Sequence, residues 1–396
     1  MKIRRILLAA FVFIAASSFA QSYQPRVITT ATPFLSINPD SRGGAMGDCG
    51  VASSPDVYSM HYNAAKYVYL EDKLNVGVGY SPWLQALVKD MGLFYVAGAY
   101  KINDRSAVAA TLRYFSPGSI EFRDEHNQVI GDFNPNEWSI DATYSRMLGD
   151  YLAGAVAARF VYSDLTQGIG DYTRPGISDA ADVSVYYKRP VEWFPIDADF
   201  AWGVAINNIG SKMTYNSSSD KKDFIPTTLR AGACLGLELD EYNSLAFNVD
   251  FTKLMVPTPP VRDVQTDEII YGYDDNVAVV MGMIQSFYDA PGYAYNTETN
   301  TFDNIGKFYE ELCEVNFGVG VEYWYNKIFA VRAGYFNESA LKGDRKYITA
   351  GAALHYTSFG LDVSYLIPVS GTVGANPLEN TLRFNLSYSF GGKKKS

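Results

Sequence analysis

From Thr381 to Phe390 the chain alternates without a fault. Leu382, Phe384, Leu386, Tyr388 and Phe390 are apolar, while Thr381, Arg383, Asn385, Ser387 and Ser389 are polar. A period of two places each set on its own face of an extended strand. The pattern recurs upstream: Leu245, Phe247, Val249 and Phe251 interleave with Ala246, Asn248, Asp250 and Thr252, and Phe317, Val319, Val321 and Tyr323 with Gly318, Gly320 and Glu322. Leu361, Val363 and Tyr365 do the same around Asp362 and Ser364. Marking every such stretch predicts about fourteen strands, near residues 72–81, 89–101, 105–115, 137–148, 152–163, 179–189, 197–207, 226–238, 244–255, 315–325, 328–336, 346–357, 360–368 and 380–390.

Alternation alone fits a soluble sandwich as well as a membrane barrel, and the connections separate the two. Short turns at Asn103-Asp104, Gly149-Asp150, Asp240-Glu241-Tyr242, Asn326-Lys327 and Ser358-Phe359 alternate with longer gaps at 116–136, 164–178, 208–225, 256–314 and 369–379. The gap 190–196 is the longest of the short class. Short turns on one side and long loops on the other are the outer-membrane pattern, with the short turns in the periplasm. The fold expected is all-β: a transmembrane, antiparallel, up-and-down β-barrel of about fourteen strands.

The start of the chain agrees. Lys2, Arg4 and Arg5 precede an apolar run from Ile6 to Ala16, and Ser18 and Ala20 supply small residues for cleavage after Ala20. No later apolar run approaches the ~20 residues of a membrane helix. Tyr (30) and Phe (23) are abundant, as interfacial girdles require. Net charge is −10 and grows more negative once the basic leader is removed, which argues against nucleic acid as a partner. The chain therefore divides into a leader (1–20), a segment ahead of the strands (21–71), a barrel (72–391) carrying an outer loop at 256–314, and a tail (392–396) with three lysines.

The stretch INPDSRGGAMGDCGVASSPDVYSMHYNAAKY (Ile37–Tyr67) breaks the pattern. It is rich in Gly, Ser, Asp and Asn, with apolar anchors at Phe34, Leu35, Ile37, Met46, Val51 and Val57. Fourteen strands enclose more space than their own inward side chains fill. Small inward residues, Gly77, Gly79, Gly232, Gly236, Gly318 and Gly320, leave further room. The segment is expected to enter from the periplasmic side and to fold into the lumen as a plug, carried by Pro39, Asp40, Arg42, Gly43, Gly44, Met46, Gly47, Asn63, Ala64 and Ala65. Inward Arg383, Asn385, Asp250 and Glu322 are the expected partners of its backbone. The Gly-x-Gly pairs lie inside alternating strands and lack the strand-to-helix turn of a nucleotide loop.

A glycine-rich N-terminal segment with an Asn-(Pro/Ala)-Ala element, followed by about fourteen strands, resembles the FadL family of outer-membrane transport proteins, whose N-terminal hatch plugs the barrel. Here the element is Asn63-Ala64-Ala65, with Ala where that family commonly has Pro. The fuller strings ATPFLSINPDSRGGAMGDCGVA (Ala31–Ala52) and NAAKYVYLEDKLNVGVGYSPWL (Asn63–Leu84) are similar to the PorV family, the FadL-like barrels of the type IX secretion system in Bacteroidetes. That resemblance implies partners: the large translocon barrel (SprA, also called Sov), the subunits of the attachment complex that links cargo to surface lipopolysaccharide, and secreted cargo bearing a C-terminal signal domain. It implies no catalytic residue and no cofactor. A FadL-type channel for long-chain fatty acids or other hydrophobic small molecules is the alternative with the same fold.

Ingredients for an enzyme are scarce. His61 falls in the plug, His126 in a long loop, and His355 alternates toward the lumen; none sits in a zinc-like spacing. Asp274-Asp275 and Asp303 read as a solvated acidic loop rather than a calcium site. Cys49, Cys234 and Cys313 are too few for a disulfide scaffold; Cys49 in the plug and Cys234 on a lumenal face form a bridge only if their Cα atoms approach within ~7 Å.

Two elements are candidate partner contacts. In loop 256–314, Asp274 or Asp275 is expected to cap a helix ended by Pro291-Gly292, with Val277, Val280, Met281, Ile284 and Tyr288 on one face. SPWLQALV (Ser81–Val88) puts Trp83, Leu84 and Leu87 in the first outer loop.

Overall fold

The computed structural model describes residues 23–84, 88–123, 126–165, 173–193, 196–218, 221–263, 265–369 and 381–391. The expected leader, Leu87 and the lysine tail lie outside them. In chain order the strands are β1 (Leu74–Pro82), β2 (Gly92–Asn103), β3 (Ser106–Ser116), β4 (Ile120–Arg123), β5 (Val129–Phe133), β6 (Asn136–Met147), β7 (Leu152–Asp164), β8 (Gly176–Trp193), β9 (Ile196–Gly210) and β10 (Thr228–Glu238). They continue as β11 (Asn243–Leu254), β12 (Val261–Arg262), β13 (Ile269–Tyr271), β14 (Tyr293–Asn296), β15 (Thr301–Asn304), β16 (Val315–Tyr325), β17 (Phe329–Asn337), β18 (Lys346–Tyr356), β19 (Phe359–Pro368) and β20 (Leu382–Phe390). Short helices occur at α1 (Ser41–Gly44), α2 (Val279–Gln285) and α3 (Lys307–Cys313).

Fourteen strands close one antiparallel barrel in the order β1-β2-β3-β6-β7-β8-β9-β10-β11-β16-β17-β18-β19-β20. The seam is β20 on β1, from Leu74 opposite Phe390 to Tyr80 opposite Phe384. The remaining strands make three hairpins within the long loops: β4-β5, β12-β13 and β14-β15. Each barrel strand matches a predicted one within a few residues. The 190–196 gap is a correction: β8 and β9 run on as a ladder to Trp193 opposite Ile196, so most of that gap is strand.

Alternation fixes the wall. On β3, Ala107, Ala109, Thr111, Arg113 and Phe115 are buried, while Leu112 and Tyr114 are exposed. The exposed set all around the barrel is large and apolar, Phe94, Val96, Ile140, Val156, Val183, Phe247 and Leu386 among it. Such a belt is stable only against hydrocarbon. No helix among the described residues is long and apolar enough to cross a membrane; the strands cross instead. The protein is an outer-membrane barrel.

The chain ahead of β1 runs through the lumen from one end to the other, joining β1 at the short-turn end. Its start lies at the long-loop end, where Tyr23 bridges Asn296, Arg26 N donates to Leu341 O at 2.7 Å and Ala31 N to Phe224 O at 2.8 Å. It reaches the short-turn end at Tyr69, whose hydroxyl donates to Tyr151 O at 2.7 Å, and Leu70, whose carbonyl accepts from Lys101 Nζ at 3.0 Å. Nothing in a glycine-rich sequence states which end of a barrel it starts from; hydrogen bonds to the outer loops decide it.

Wall glycines let this inner segment touch backbone to backbone. Gly47 has φ 67°, and a Cβ added at Gly334 of β17 stands 2.1 Å from Gly47 N. A Cβ at Gly320 meets Met46 at 2.4 Å, and one at Gly318 meets Gly47 O at 2.2 Å. Gly334→Val is expected to destabilise the folded barrel by about 1–3 kcal/mol through overpacking. The urea midpoint of the folded, heat-modifiable form measures it; an unchanged midpoint excludes the close approach.

Candidate functional site

The inner segment is held by the lumenal face residue by residue. Asp40 caps α1, its carboxylate accepting from Arg42 N at 2.9 Å and Gly43 N at 2.8 Å. Asn385 of β20 accepts from Ser41 N at 2.6 Å and donates to Pro39 O at 3.3 Å. Asp250 of β11 accepts from Gly50 N at 2.6 Å and Val51 N at 2.8 Å, and Thr349 of β18 accepts from Gly47 N at 2.9 Å. Met46 is fully buried, its sulfur accepting from Asn248 Nδ2 at 3.6 Å. Gly43 and Gly50 flank the Tyr62 ring, and Gly44 makes room for Arg383. Lumenal side chains thus replace the ladder partners that an irregular backbone lacks.

Asn63 has two jobs. Its side-chain oxygen accepts from Ala65 N at 3.0 Å, starting the 3₁₀ turn Ala64–Tyr69, and its amide donates to Val185 O at 2.9 Å on β8. Ser145 of β6 donates to Ala65 O at 3.1 Å. Ala64 and Ala65 are buried against Ala107, Ala109, Ala153, Ala155 and Ala157. Only small wall residues leave space for a helical turn inside the barrel.

The charged centre is a chain of alternating signs. Arg42 clasps Glu322 of β16 through Nε at 2.8 Å and Nη2 at 2.6 Å. Arg332 of β17 donates to the same carboxylate at 2.7 Å and to Asp362 of β19 at 2.6 Å. Asp362 meets His355 Nε2 at 3.0 Å. Below it, at the short-turn end, lies a polar cavity of about 530 Å³ lined by Arg42, Asp56, Tyr69, Trp324, His355 and Asp362. On the opposite wall Arg159 of β7 pairs with Asp141, Asp182 and Asn208. His61 is buried between Arg113 and Arg230.

At the long-loop end the 256–314 loop folds into a cap. Lys342 donates to Glu310 and Glu314, both at 2.9 Å, and Lys253 to Glu314 at 2.5 Å. Burial works against Glu314, yet Lys342 and Lys253 hold its carboxyl below the usual carboxylate range. Burial pushes Asp289 up to about 6. Arg26 from the start of the inner segment enters this cluster, 3.1 Å from Glu310. The sequence reading missed these residues; Glu310 and Glu314, four apart beside a short apolar turn, were their only signal.

The expected helix is shorter than predicted. α2 begins after Ala278 with no side-chain cap, so neither Asp274 nor Asp275 caps it, and it ends at Gln285, well before Pro291. Gly282 packs on Phe224 and Pro257, and Gln285 donates to Asp274 O. Val280, Met281, Ile284 and Tyr288 are all exposed, as are Phe308, Tyr309 and Leu312 on α3. Trp83 is half-buried against a cluster containing Leu93 and Phe115, and Leu84 takes a left-handed backbone. Cys49, Cys234 and Cys313 are buried free thiols, so the Cys49–Cys234 bridge is not formed. Among the described residues no His, Cys, Asp and Glu side chains gather as a metal site.

A closed fourteen-stranded barrel with a lipid-facing belt and a lumen occupied by its own N-terminal segment defines a class: an outer-membrane barrel of the filled kind. Residues 19–261 match the family described as "Type IX secretion system protein PorV", and the chain belongs to that family. No curated protein matches the chain in sequence. Among solved structures it is similar to the Pseudomonas putida toluene transporter TodX, at 8% identity and TM-score 0.46 over 92% of this chain and 98% of that one. It is also similar to a Pseudomonas aeruginosa FadL homologue, at 11% identity and TM-score 0.40 over 93% and 100%.

Proposed function

We propose that this protein is the barrel through which a type IX secretion system holds cargo and partner subunits at the outer membrane, acting by its surfaces and not as a conduit. Membership of the PorV family carries the reading. The filled lumen supports it: a segment bonded to the wall through Asp250, Glu322, Thr349 and Asn385 leaves little room for a passing substrate. The partners proposed are a translocon barrel of the SprA/Sov type, attachment-complex subunits, and cargo with C-terminal signal domains, in contact with outer-leaflet lipid and lipopolysaccharide. The contact surface proposed is the cap, where Val280, Met281, Ile284 and Tyr288 face away from the barrel beside Phe308 and Leu312. A Met-bearing apolar surface adapts to more than one partner.

Affinity capture of the tagged protein from native membranes tests this. Co-purification of a very large barrel and a protease-like surface subunit is the expected result. Capture of the barrel alone, together with uptake of labelled long-chain fatty acids that depends on it, overturns the proposal in favour of a hydrophobic channel.

The proposal also fixes an orientation, with the long-loop end outside the cell. In a background lacking the three native cysteines, Thr299→Cys is expected to react with an impermeant reagent on intact cells and Asp150→Cys is not. The reverse pattern inverts the topology.

A further inference from the structure

Where the 256–314 loop closes over the long-loop end, the described carboxylates outnumber the cations they meet. Glu310 and Glu311 of α3, Glu314 just beyond it and Asp289 gather with Lys253 of β11, Lys342 of the β17–β18 connection and Arg26 of the inner segment. Every cation is taken by a glutamate. Arg26 holds Glu310 at 3.1 Å, and Lys342 holds Glu310 and Glu314 at 2.9 Å each. Lys253 holds Glu314 at 2.5 Å and Glu311 at 3.3 Å. Asp289 is left without an ion pair among the described residues, although it is wholly buried.

Asp289 is nevertheless built into a join. Its Oδ2 accepts from Thr258 N at 3.1 Å and from Gln285 Nε2 at 3.3 Å, so one oxygen ties the end of α2 to the start of the loop. Its Oδ1 is buried with no hydrogen-bond partner among the described residues. The flanking residues bring in only charges of its own sign: Thr258 Oγ1 donates to Glu314 Oε1 at 2.6 Å, and Ala290 N donates to Glu311 Oε1 at 2.9 Å. Glu314 and Glu311 are also the charges felt most strongly at Asp289. A buried carboxylate with no counter-charge takes up a proton more readily than an exposed one. A proton on Oδ1 ends the repulsion and leaves Oδ2 free to accept both bonds. Burial pushes Asp289 up to about 6, in agreement with the excess of acid in the cluster. Burial raises Glu311 as well, yet Glu311 keeps Lys253 as its counter-charge.

We propose that Asp289 is a proton-operated latch of the cap: protonated, it pins α2 to Thr258, and ionised, it loosens that join and frees the stretch that carries Val280, Met281 and Ile284. The latch stands whether or not that surface meets a partner. An ordinary aspartate loses its proton near pH ~4, and Asp289 in the closed cap keeps it up to about 6. Between those values the closed cap binds more protons than the open one, so closure weakens as pH rises through the window. Below it the contribution is complete, and above it the contribution is lost. The cap is therefore locked in acidic surroundings and opens most readily at neutral pH.

Hydrogen exchange of the full chain in detergent, corrected for intrinsic chemistry and followed from about pH 4 to about pH 8, tests the latch. Protection of amides in 256–290 is expected to fall by up to about tenfold per pH unit between about 4 and 6 and then to level, while amides of β16 in the barrel ladder keep theirs. Asp289→Asn retains an acceptor for Thr258 N and Gln285 and does not ionise, so its cap should stay protected with no pH dependence. Glu311→Gln should keep the dependence and lower its midpoint, because one repelling charge is gone. Heat-modifiable migration verifies that each variant has folded. Flat protection in the wild type, or an unchanged pH dependence in folded Asp289→Asn, overturns the proposal. Loss of the dependence in Glu311→Gln but not in Asp289→Asn moves the proton to Glu311 and overturns the assignment. If Asp289→Asn does not fold, the wild-type midpoint decides: a value near 6 supports the latch, and one at the ordinary carboxylate value of about 4 overturns it.

Discussion

Removing Thr32–Tyr62 is expected to turn a silent protein into a conducting one. In planar bilayers the intact chain should give no large, steady conductance, because its lumen carries a segment fastened at both ends. At the long-loop end the fastening is Tyr23 on Asn296 and Arg26 on Glu310; at the short-turn end it is Tyr69 on Tyr151 and Lys101 on Leu70. Between them lie the backbone bonds to Asp250, Thr349 and Asn385. The deletion strips all three wall acceptors of their partners and leaves a polar, hydrated bore behind an intact lipid-facing belt. The wall itself does not depend on the inner segment for its ladder, since all fourteen strands pair with one another. Heat-modifiable migration on a gel verifies that the variant barrel is closed before it is measured. Large, steady conductance from the intact protein would falsify the closed-lumen reading and favour a channel. A folded but silent deletion variant would mean that the outer loops alone seal the bore.

The barrel was legible because its signal is local and periodic. An apolar residue at every second position, as in Leu382–Phe390, needs no knowledge of distant contacts, and the short turns count the strands. The wall glycines were legible for the same reason: a glycine at an inward position of an alternating strand marks a place where something else comes close, and Gly318 and Gly320 receive Met46 and Gly47. What the pattern does not carry is long-range pairing. Asp250 is separated from Gly50 by 200 positions and Glu322 from Arg42 by 280, and no periodicity links them. The full course of the inner segment was not legible on that account, since bonds from Arg26 to Leu341 and Glu310 set where it starts. The cap was legible only in part. Helices of seven residues and hairpins of two to four residues per strand are too short for a period to register, and α2 is held by Gly282 against Phe224 rather than by a cap residue.

The second large effect is expected at Glu322. Arg42, Glu322, Arg332 and Asp362 form a row of alternating charge, with side chains that are all but closed to solvent at Glu322 and Arg332. Taking charges out of water is unfavourable, and such a row is tolerated because each member faces the opposite sign. Glu322→Gln keeps the shape and removes the one anion shared by two guanidinium groups. Arg42 then retains Asp56 and Ser54, and Arg332 retains Asp362, but the row carries an unbalanced positive charge. The expected cost is about 3–5 kcal/mol of folded-state stability, the range for breaking a buried pair from one side. Arg42→Gln alone leaves an unbalanced negative charge and should cost a similar amount. The double variant removes one charge of each sign and leaves Arg332 and Asp362 as a matched pair, so its cost should fall well short of the sum. A coupling of at least about 1 kcal/mol in the double-mutant cycle, read from urea unfolding of the detergent-folded protein, is the predicted outcome. Strict additivity would show that Arg42 and Glu322 do not act on each other, and that the inner segment is held by its backbone bonds to Asp250, Thr349 and Asn385 alone.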